Sequence, residues 1–148
     1  MMVQSIIFDI DGTLANIDHR RPILKKDPYN WEGFFAEMGE DKLNTPITDL
    51  YKELMKSEFY ECIVVSARPE RYRKITENWL IWNGLEYKQL LLRPNDDARP
   101  DSQIKLEMLR ILKKQNRKIA FVIDDRQSVV DMWRENGITC LQCADHDF

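Results

Sequence analysis

Residues 6–14 read Ile-Ile-Phe-Asp-Ile-Asp-Gly-Thr-Leu, an apolar run that ends in two aspartates and a glycine. The run, from about residue 3 to residue 8, predicts a buried strand with Asp9 and Asp11 at its carboxyl end. Carboxylates this close repel each other, so they are normally held together by a hard cation such as Mg²⁺. Gly12 lets the chain turn sharply past such an ion. The alternative is an ordinary strand-ending turn, in which Asp and Gly are common.

Four more apolar runs predict the remainder of a sheet, and they lie at about 62–65, 89–92, 119–123 and 138–141. Helical patterns lie between them, at about 46–56, 69–83, 101–115 and 127–136. This alternation predicts a three-layer, Rossmann-like α/β fold with a parallel sheet of about five strands and helices on both faces. Sheets of this kind bind ligands beyond the carboxyl ends of their strands, so the reactive residues should gather at that edge.

One stretch, residues 15–45, does not follow the alternation. We expect a single domain over residues 1–148, because no linker or repeat divides the chain, with 15–45 as a small cap or lid inserted after the first strand. The insertion carries several aromatic side chains, for which packing inside the lid and stacking on bases are both open. They include Trp31, Phe34 and Phe35.

The composition limits the class of protein. A formal net charge of -3 argues against a protein that coats nucleic acid, because such proteins carry a broadly basic surface. The amino-terminal residues lack a secretory signal and no run is long enough to span a membrane, so we expect a cytoplasmic protein with no membrane partner. Cys140 and Cys143 form a C-x-x-C motif without a second pair, and we expect reduced, buried thiols rather than a metal site.

A second acidic pair, Asp124-Asp125, follows the strand predicted at 119–123. Two acidic clusters at the ends of two strands are poorly explained by coincidence. Together they could complete the oxygen shell of one metal ion. The alternative is that Asp125 only begins the next helix, as acidic residues often do.

Polar residues also follow the second predicted strand, in the order Ser66-Ala67-Arg68-Pro69. Pro69 is predicted to be the first residue of a helix, whose N-terminus would attract phosphate. Ser66 could donate a hydrogen bond to a phosphoryl oxygen, and Arg68 could bind phosphate through two nitrogens. In isolation, Ser66 would more often be a turn or cap residue.

A lysine lies one turn into the helix predicted at 101–115. Lys105 follows Asp101 by four residues, and as a bare pair the two predict a solvated salt bridge with Asp101 as the N-cap. The predicted topology, however, brings the start of this helix to the edge that carries the acidic clusters. An ammonium group there can offset the charge of a nucleophile and a phosphate.

The order of these residues is similar to that of the four motifs of the haloacid dehalogenase superfamily. The motifs fall on Asp9-x-Asp11-Gly-Thr-Leu, Ser66, Lys105 and Asp124-Asp125. The resemblance therefore spans nearly the whole chain and implies a haloacid dehalogenase-type phosphatase.

More narrowly, the chain resembles the 3'-phosphatase domain of phage polynucleotide kinase-phosphatases. The closest stretches are 9–15, 63–68, 123–134 and the terminal Asp147-Phe148.

Three spacings carry the narrower resemblance. That family uses an arginine nine positions after the second motif aspartate, an arginine two after the motif serine and an aspartate four before the lysine, which fall here on Arg20, Arg68 and Asp101. Ala67 stands where the family usually has glycine. The chain contains no G-x-x-x-x-G-K-[ST] motif, so we expect no 5'-kinase activity from it.

The resemblance implies a mechanism. Asp9 would attack the phosphate and carry it as an aspartyl-phosphate, while Asp11 would protonate the leaving oxygen and then activate water. Ser66 and Lys105 would hold the phosphoryl oxygens. The implied cofactor is Mg²⁺, held by the Asp9 carboxylate, the Asp11 backbone carbonyl and one residue of the acidic pair, Asp125 rather than Asp124.

The implied substrate is a 3'-phosphorylated end of DNA or RNA. End recognition needs few phosphate contacts, which agrees with the negative net charge. Two alternatives stay open: the same chemistry on a small ester such as a nucleotide or sugar phosphate, and a non-catalytic module that binds nucleic-acid ends through an idle site. The complete set of motif residues speaks against the idle site.

Overall fold

The computed structural model describes residues 2–146, so Asp147 and Phe148, which take part in the resemblance, lie outside the described residues. In chain order the elements are β1 (Gln4–Phe8), β2 (Ala15–Asn16), α1 (Arg21–Lys26), α2 (Trp31–Ala36), β3 (Lys42–Leu43), α3 (Thr45–Met55), β4 (Tyr60–Pro69), α4 (Arg73–Trp82), β5 (Gln89–Arg93), α5 (Asp101–Lys114), β6 (Ile119–Arg126), α6 (Gln127–Glu135) and β7 (Cys140–His146). Short 3₁₀ turns occupy Met38–Glu40 and Glu70–Tyr72. Within the described chain, no helix combines the length and the apolar character needed to cross a bilayer.

Five parallel strands form the central sheet in the order β5-β4-β1-β6-β7, which confirms the predicted fold. β1 lies in the middle, and its last residue, Phe8, is level with Val64 of β4 and Ile123 of β6. The chain segments that follow these positions therefore leave the sheet at the same edge. This register places the residues after Phe8 next to those at the end of β6.

Helices cover both faces of the sheet because the strand side chains alternate between two apolar cores. Ile6 and Phe8 point into the core under α3 and α4, where Tyr51 and Trp79 are buried. The intervening Ile7 points to the other core, where it meets buried side chains of α5 and α6. A sheet with both faces covered explains why its central strand is continuously apolar.

Residues 15–45 fold back on themselves. β2 and β3 pair as a two-stranded antiparallel sheet, with Ala15 opposite Leu43, so the two ends of the insertion are joined. Between them lie α1, α2 and the first 3₁₀ turn. The insertion also buries Ile17, Phe34 and Met38 in the core under α3 and α4.

The helix predicted to begin at Pro69 begins later. Pro69 has an extended backbone (φ -61°, ψ 149°) and is the last residue of β4, and a 3₁₀ turn separates it from α4, which starts at Arg73. The prediction that Ser66 and Arg68 immediately precede a helix N-terminus is therefore wrong. Both residues belong to the carboxyl end of a strand instead, because proline fixes φ but permits extended ψ values as readily as helical ones.

The last strand is longer than the apolar run that predicted it. β7 continues five residues beyond Leu141, to His146. Its second half is mostly half-buried because, among the described residues, β7 is an edge strand that pairs with β6 alone. Cys140, at its start, is buried as expected, whereas Cys143 is only half-buried, and both are free thiols.

Candidate active site

Three carboxylates meet where β1 and β6 end. Asp9, Asp124 and Asp125 are buried, and each offers an oxygen within 4.8 Å of the others. We call these residues the acidic cluster. Because burial disfavours the charged form, and because the neighbouring carboxylates add repulsion, the pKa values of Asp9 and Asp125 are raised.

Lys105 pairs with two members of the acidic cluster. Its Nζ donates hydrogen bonds to Asp9 Oδ1 and Asp124 Oδ2, each at 2.8 Å. Burial alone would lower the pKa of this ammonium group, but the charges of Asp124 and Asp9 outweigh burial and raise it. Three carboxylates and one ammonium group leave two negative charges uncompensated, so the cluster suits a divalent cation.

Further contacts fix Asp125 in place. Thr13 Oγ1 donates to Asp125 Oδ1 at 3.2 Å, and His146 Nδ1 lies 2.6 Å from Asp125 Oδ2. Gly12 has a φ of 85°, and a Cβ atom there would lie 2.1 Å from Asp125 Oδ2. Glycine is thus required at this turn by both the backbone conformation and the approach of the carboxylate.

Asp11 belongs to a second group of charges. Its Oδ1 accepts hydrogen bonds from Arg68 Nη2 at 2.6 Å and from Arg20 Nη2 at 2.7 Å. Although burial acts to raise the pKa of Asp11, the two guanidinium groups lower it well below its usual range. The carboxylate is therefore ionised in the free protein.

Asp41 completes this group and was not singled out from the sequence. It accepts from Arg20 Nε and Nη2 at 2.7 Å and from Arg68 Nη2 at 3.2 Å, and its own backbone carbonyl accepts from Trp79 Nε1. We call Asp11, Arg20, Asp41 and Arg68 the arginine cluster. Both arginines are fully buried, so each guanidinium depends on these carboxylates for charge compensation.

Ser66 lies near the carboxyl end of β4. Its hydroxyl oxygen accepts a hydrogen bond from the backbone N–H of Arg68 at 3.2 Å, which is the local turn contact that its residue type favours. The hydroxyl hydrogen remains free to point at a ligand.

Asp101 is the first residue of α5 rather than its N-cap, which is Pro100. It pairs with Arg93 and with Arg126, the latter at 2.6 Å. The solvated Asp101–Lys105 salt bridge considered as an alternative is wrong, because Lys105 turns inward to the acidic cluster.

One cavity of about 670 Å³ opens above these groups. Arg20, which is fully buried, is not among the described residues that line it. The other eight residues predicted from the sequence do line it, and they are Asp9, Asp11, Ser66, Arg68, Asp101, Lys105, Asp124 and Asp125. The predicted residues are therefore brought together at the carboxyl edge of the sheet.

Two residues at the site escaped sequence reasoning for different reasons. His146 ends β7, and the rule that reactive residues follow strands would have included it if the strand had been predicted beyond Leu141. Asp41 lies in the insertion, where no strand-end rule applies and several acidic residues compete. Nothing in the sequence distinguishes it from neighbours such as Glu37 and Glu40.

The family model for the phosphatase domain of polynucleotide kinase PNKP matches residues 3–148. The chain belongs to this family. Its structure is similar to a chain of the Pnkp1/Rnl/Hen1 RNA repair complex, with a TM-score of 0.85 and 34% identity over 99% of this chain and 44% of that one. The family and the fold together identify a phosphatase domain of the haloacid dehalogenase type.

Two more distant proteins were also matched. A protein of Autographa californica nuclear polyhedrosis virus, named as a bifunctional polynucleotide kinase/RNA ligase, is 23% identical over 97% of this chain and 20% of its own length. A haloacid dehalogenase-like hydrolase of Streptococcus pneumoniae shares the fold, with a TM-score of 0.66 and 14% identity over 95% of this chain and 84% of that one. The chain spans less than half of the RNA repair and viral relatives.

Proposed function

We propose that this phosphatase domain is Mg²⁺-dependent, works through an aspartyl-phosphate at Asp9, and removes 3'-phosphates from polynucleotide ends. The observation that carries the proposal is the position of Asp9 in the cavity, hydrogen-bonded to Lys105 and close to Asp124 and Asp125. The family match supports the polynucleotide substrate.

In the first step, an Asp9 carboxylate oxygen bonds to phosphorus as the bond to the leaving oxygen breaks. Lys105 and the Ser66 hydroxyl hold phosphoryl oxygens. The Asp9 carboxylate, the Asp11 backbone carbonyl and Asp125 would hold Mg²⁺, which would supply positive charge that lets an anionic nucleophile approach phosphate. We choose Asp125 over Asp124 as the metal ligand because the Asp124 oxygens already accept hydrogen bonds from Lys105, Trp133 and two backbone N–H groups.

Asp11 must carry a proton to protonate the leaving oxygen, although the arginine cluster keeps it ionised in the free protein. A substrate phosphate beside Asp11 adds negative charge and takes hydrogen bonds from Arg68, and both changes raise the pKa of Asp11. In the second step Asp11 takes a proton from water, the water oxygen attacks the aspartyl-phosphate, and inorganic phosphate leaves. Asp9 is thereby regenerated.

Phosphate release from a panel of substrates tests the proposal. The panel comprises 3'-phosphorylated and 5'-phosphorylated oligonucleotides of DNA and RNA, mononucleotides and an aryl phosphate, each with Mg²⁺ and with a chelator. We expect the 3'-phosphorylated oligonucleotides to be hydrolysed fastest, only with Mg²⁺, and Asp9→Asn to lose at least about 10³-fold in kcat. Asp49→Asn, a substitution on the exposed face of α3, should keep full activity.

Other outcomes select the alternatives. Mononucleotides or sugar phosphates hydrolysed orders of magnitude faster than oligonucleotides would identify a small-ester phosphatase. Oligonucleotide binding without hydrolysis of any ester would identify a non-catalytic module. Hydrolysis that survives Asp9→Asn would show that another group is the nucleophile.

A further inference from the structure

The wall of the cavity extends well beyond the catalytic groups. On one side it is formed by Trp31, Phe34 and Phe35 of α2 and by Arg71 of the second 3₁₀ turn. Phe34 and Phe35 are 3% and 8% exposed and pack into the core, whereas Trp31 is 44% exposed. Of the three aromatic residues, only Trp31 therefore presents a large open surface at the cavity mouth.

Trp31 is held in a row of planar groups. Its ring stacks on Phe35 at 6.0 Å with an interplanar angle of 27°, and Phe34 meets it edge-on at 5.7 Å. Phe35 in turn contacts Tyr72 at 5.1 Å, and the Arg71 guanidinium lies 4.9 Å above the Tyr72 ring. These contacts orient Trp31 before any ligand arrives, so little side-chain entropy is left to lose on binding.

Arg71 differs from the other arginines at the cavity mouth. Arg93, Arg99 and Arg126 are each in an ion pair with a carboxylate. Within residues 2–146, Arg71 forms no ion pair within 4.0 Å, and its backbone N–H is anchored to Asn95 Oδ1 at 2.8 Å. Such an exposed guanidinium, held in a positioned turn, is suited to bind a phosphate group.

We propose that Trp31 and Arg71 form an outer subsite for the nucleotide that precedes the 3'-phosphorylated terminal one. Trp31 stacks on a base, Arg71 binds a phosphodiester group, and the subsite makes the enzyme prefer polynucleotide ends to mononucleotides. This inference rests on the proposed function, because it assumes that the terminal phosphate reaches Asp9. Base stacking tolerates any sequence, so the subsite serves ends of every sequence.

The test compares kcat/KM for a 3'-phosphorylated oligonucleotide with kcat/KM for a nucleoside 3'-monophosphate. We expect Trp31→Ala and Arg71→Gln each to lower the oligonucleotide value about 10-fold and to change the monophosphate value less than about 2-fold. Arg71→Gln should also weaken the salt dependence of oligonucleotide KM, because one phosphate contact is lost. A purely structural defect would not produce this salt effect.

Matched controls use the same residue types outside the cavity. Trp82 at the end of α4 is 80% exposed, and Arg110 of α5 is also exposed. Trp82→Ala and Arg110→Gln should leave kcat/KM for both substrates, and the salt dependence of the oligonucleotide KM, unchanged.

The outcomes separate the two proposals. If the wild-type enzyme hydrolyses monophosphate as well as oligonucleotide, the proposed polynucleotide function fails and the subsite fails with it. The outer subsite alone is overturned if the wild type prefers oligonucleotides but the Trp31 and Arg71 variants behave like their controls. The same holds if these variants lower kcat/KM equally for the oligonucleotide and the monophosphate.

Discussion

Gly12 shows how a single position can be constrained twice. Its positive φ is costly for any residue with a Cβ atom, and the space that a Cβ would need is taken by the Asp125 carboxylate. Gly137 after α6 has a similar φ, 76°, but a Cβ there would meet no atom of residues 2–146 within 4 Å. The two glycines therefore separate the cost of backbone conformation from the cost of crowding the acidic cluster.

Gly12→Ala should lower both stability and activity, whereas Gly137→Ala should lower stability alone. For Gly137→Ala we expect the backbone cost, about 1–2 kcal/mol in the free energy of unfolding. Gly12→Ala should cost more than that and reduce kcat/KM at least about 100-fold, because Asp125 must move. Denaturant unfolding and a phosphatase assay measure the two effects. Equal activity of the two variants would mean that the Asp125 position tolerates displacement.

At the residue scale, the strand-end rule explains what the sequence could predict. Asp9, Lys105 and Asp125 were predictable as neighbours because parallel strands and the helices between them share one edge. Asp41 was not, because its role depends on how the insertion folds over Arg20 and Arg68. The pairing of Asp41 with Arg20 and Arg68 arises only when the insertion folds, and it produces no periodic pattern in the sequence.

At the element scale, apolar runs predicted the five strands of the sheet but not where they end. β4 and β7 both continue past their apolar runs, into Ser66–Pro69 and Gln142–His146. Backbone pairing with a neighbour, rather than side-chain hydrophobicity, extends them. The polar ends of strands carry the site, and these are the parts that hydrophobic patterns describe least well.

The start of β7 also predicts a response to alkaline pH. Burial raises the pKa of the Cys140 thiol to about 12, compared with about 9 for an ordinary thiol. Between these two pH values the unfolded chain loses the thiol proton and the folded chain keeps it. The contribution of this thiol to the free energy of unfolding is therefore fully present below about pH 9 and is lost as the pH rises toward 12.

Cys140→Ala should make this decline shallower than in the wild type, by about 1 kcal/mol per pH unit or less. Urea unfolding at pH 8 and pH 10.5 under reducing conditions gives the two slopes, and the ionisation of other groups cancels in their difference. Parallel slopes would show that the Cys140 thiol ionises equally easily in the folded and unfolded chains.

At the scale of the whole molecule, the sheet keeps two charge clusters separate. The acidic cluster retains negative charge, whereas the arginine cluster is balanced by Asp11 and Asp41. A cation should therefore bind at the acidic cluster and stabilise the fold, since it binds the native state in preference to the unfolded chain.

Mg²⁺ at about 100 times its Kd should add about 2.7 kcal/mol to the free energy of unfolding and raise Tm by several degrees. Asp125→Asn should abolish the shift, whereas Asp11→Asn, which keeps its backbone carbonyl, should retain the shift and lose turnover. Because the pKa values of Asp9 and Asp125 are raised, protons compete with the ion, and the shift should shrink as pH is lowered from 7.5 to 5. Calorimetry measures each shift, and a shift that persists in Asp125→Asn would place the ion elsewhere.

The central position of β1 has a consequence for how the protein reaches its working state. β1 has one neighbour from residues 60–69 and another from residues 119–126, so Asp9 meets Asp124 only after chain segments more than a hundred residues apart have paired. Such distant contacts are slow to form and helices are fast. During refolding, regained phosphatase activity is therefore a stricter test of complete folding than regained helix content. A partly folded chain can form its helices before β1 and β6 have paired and brought Asp9 to Asp124.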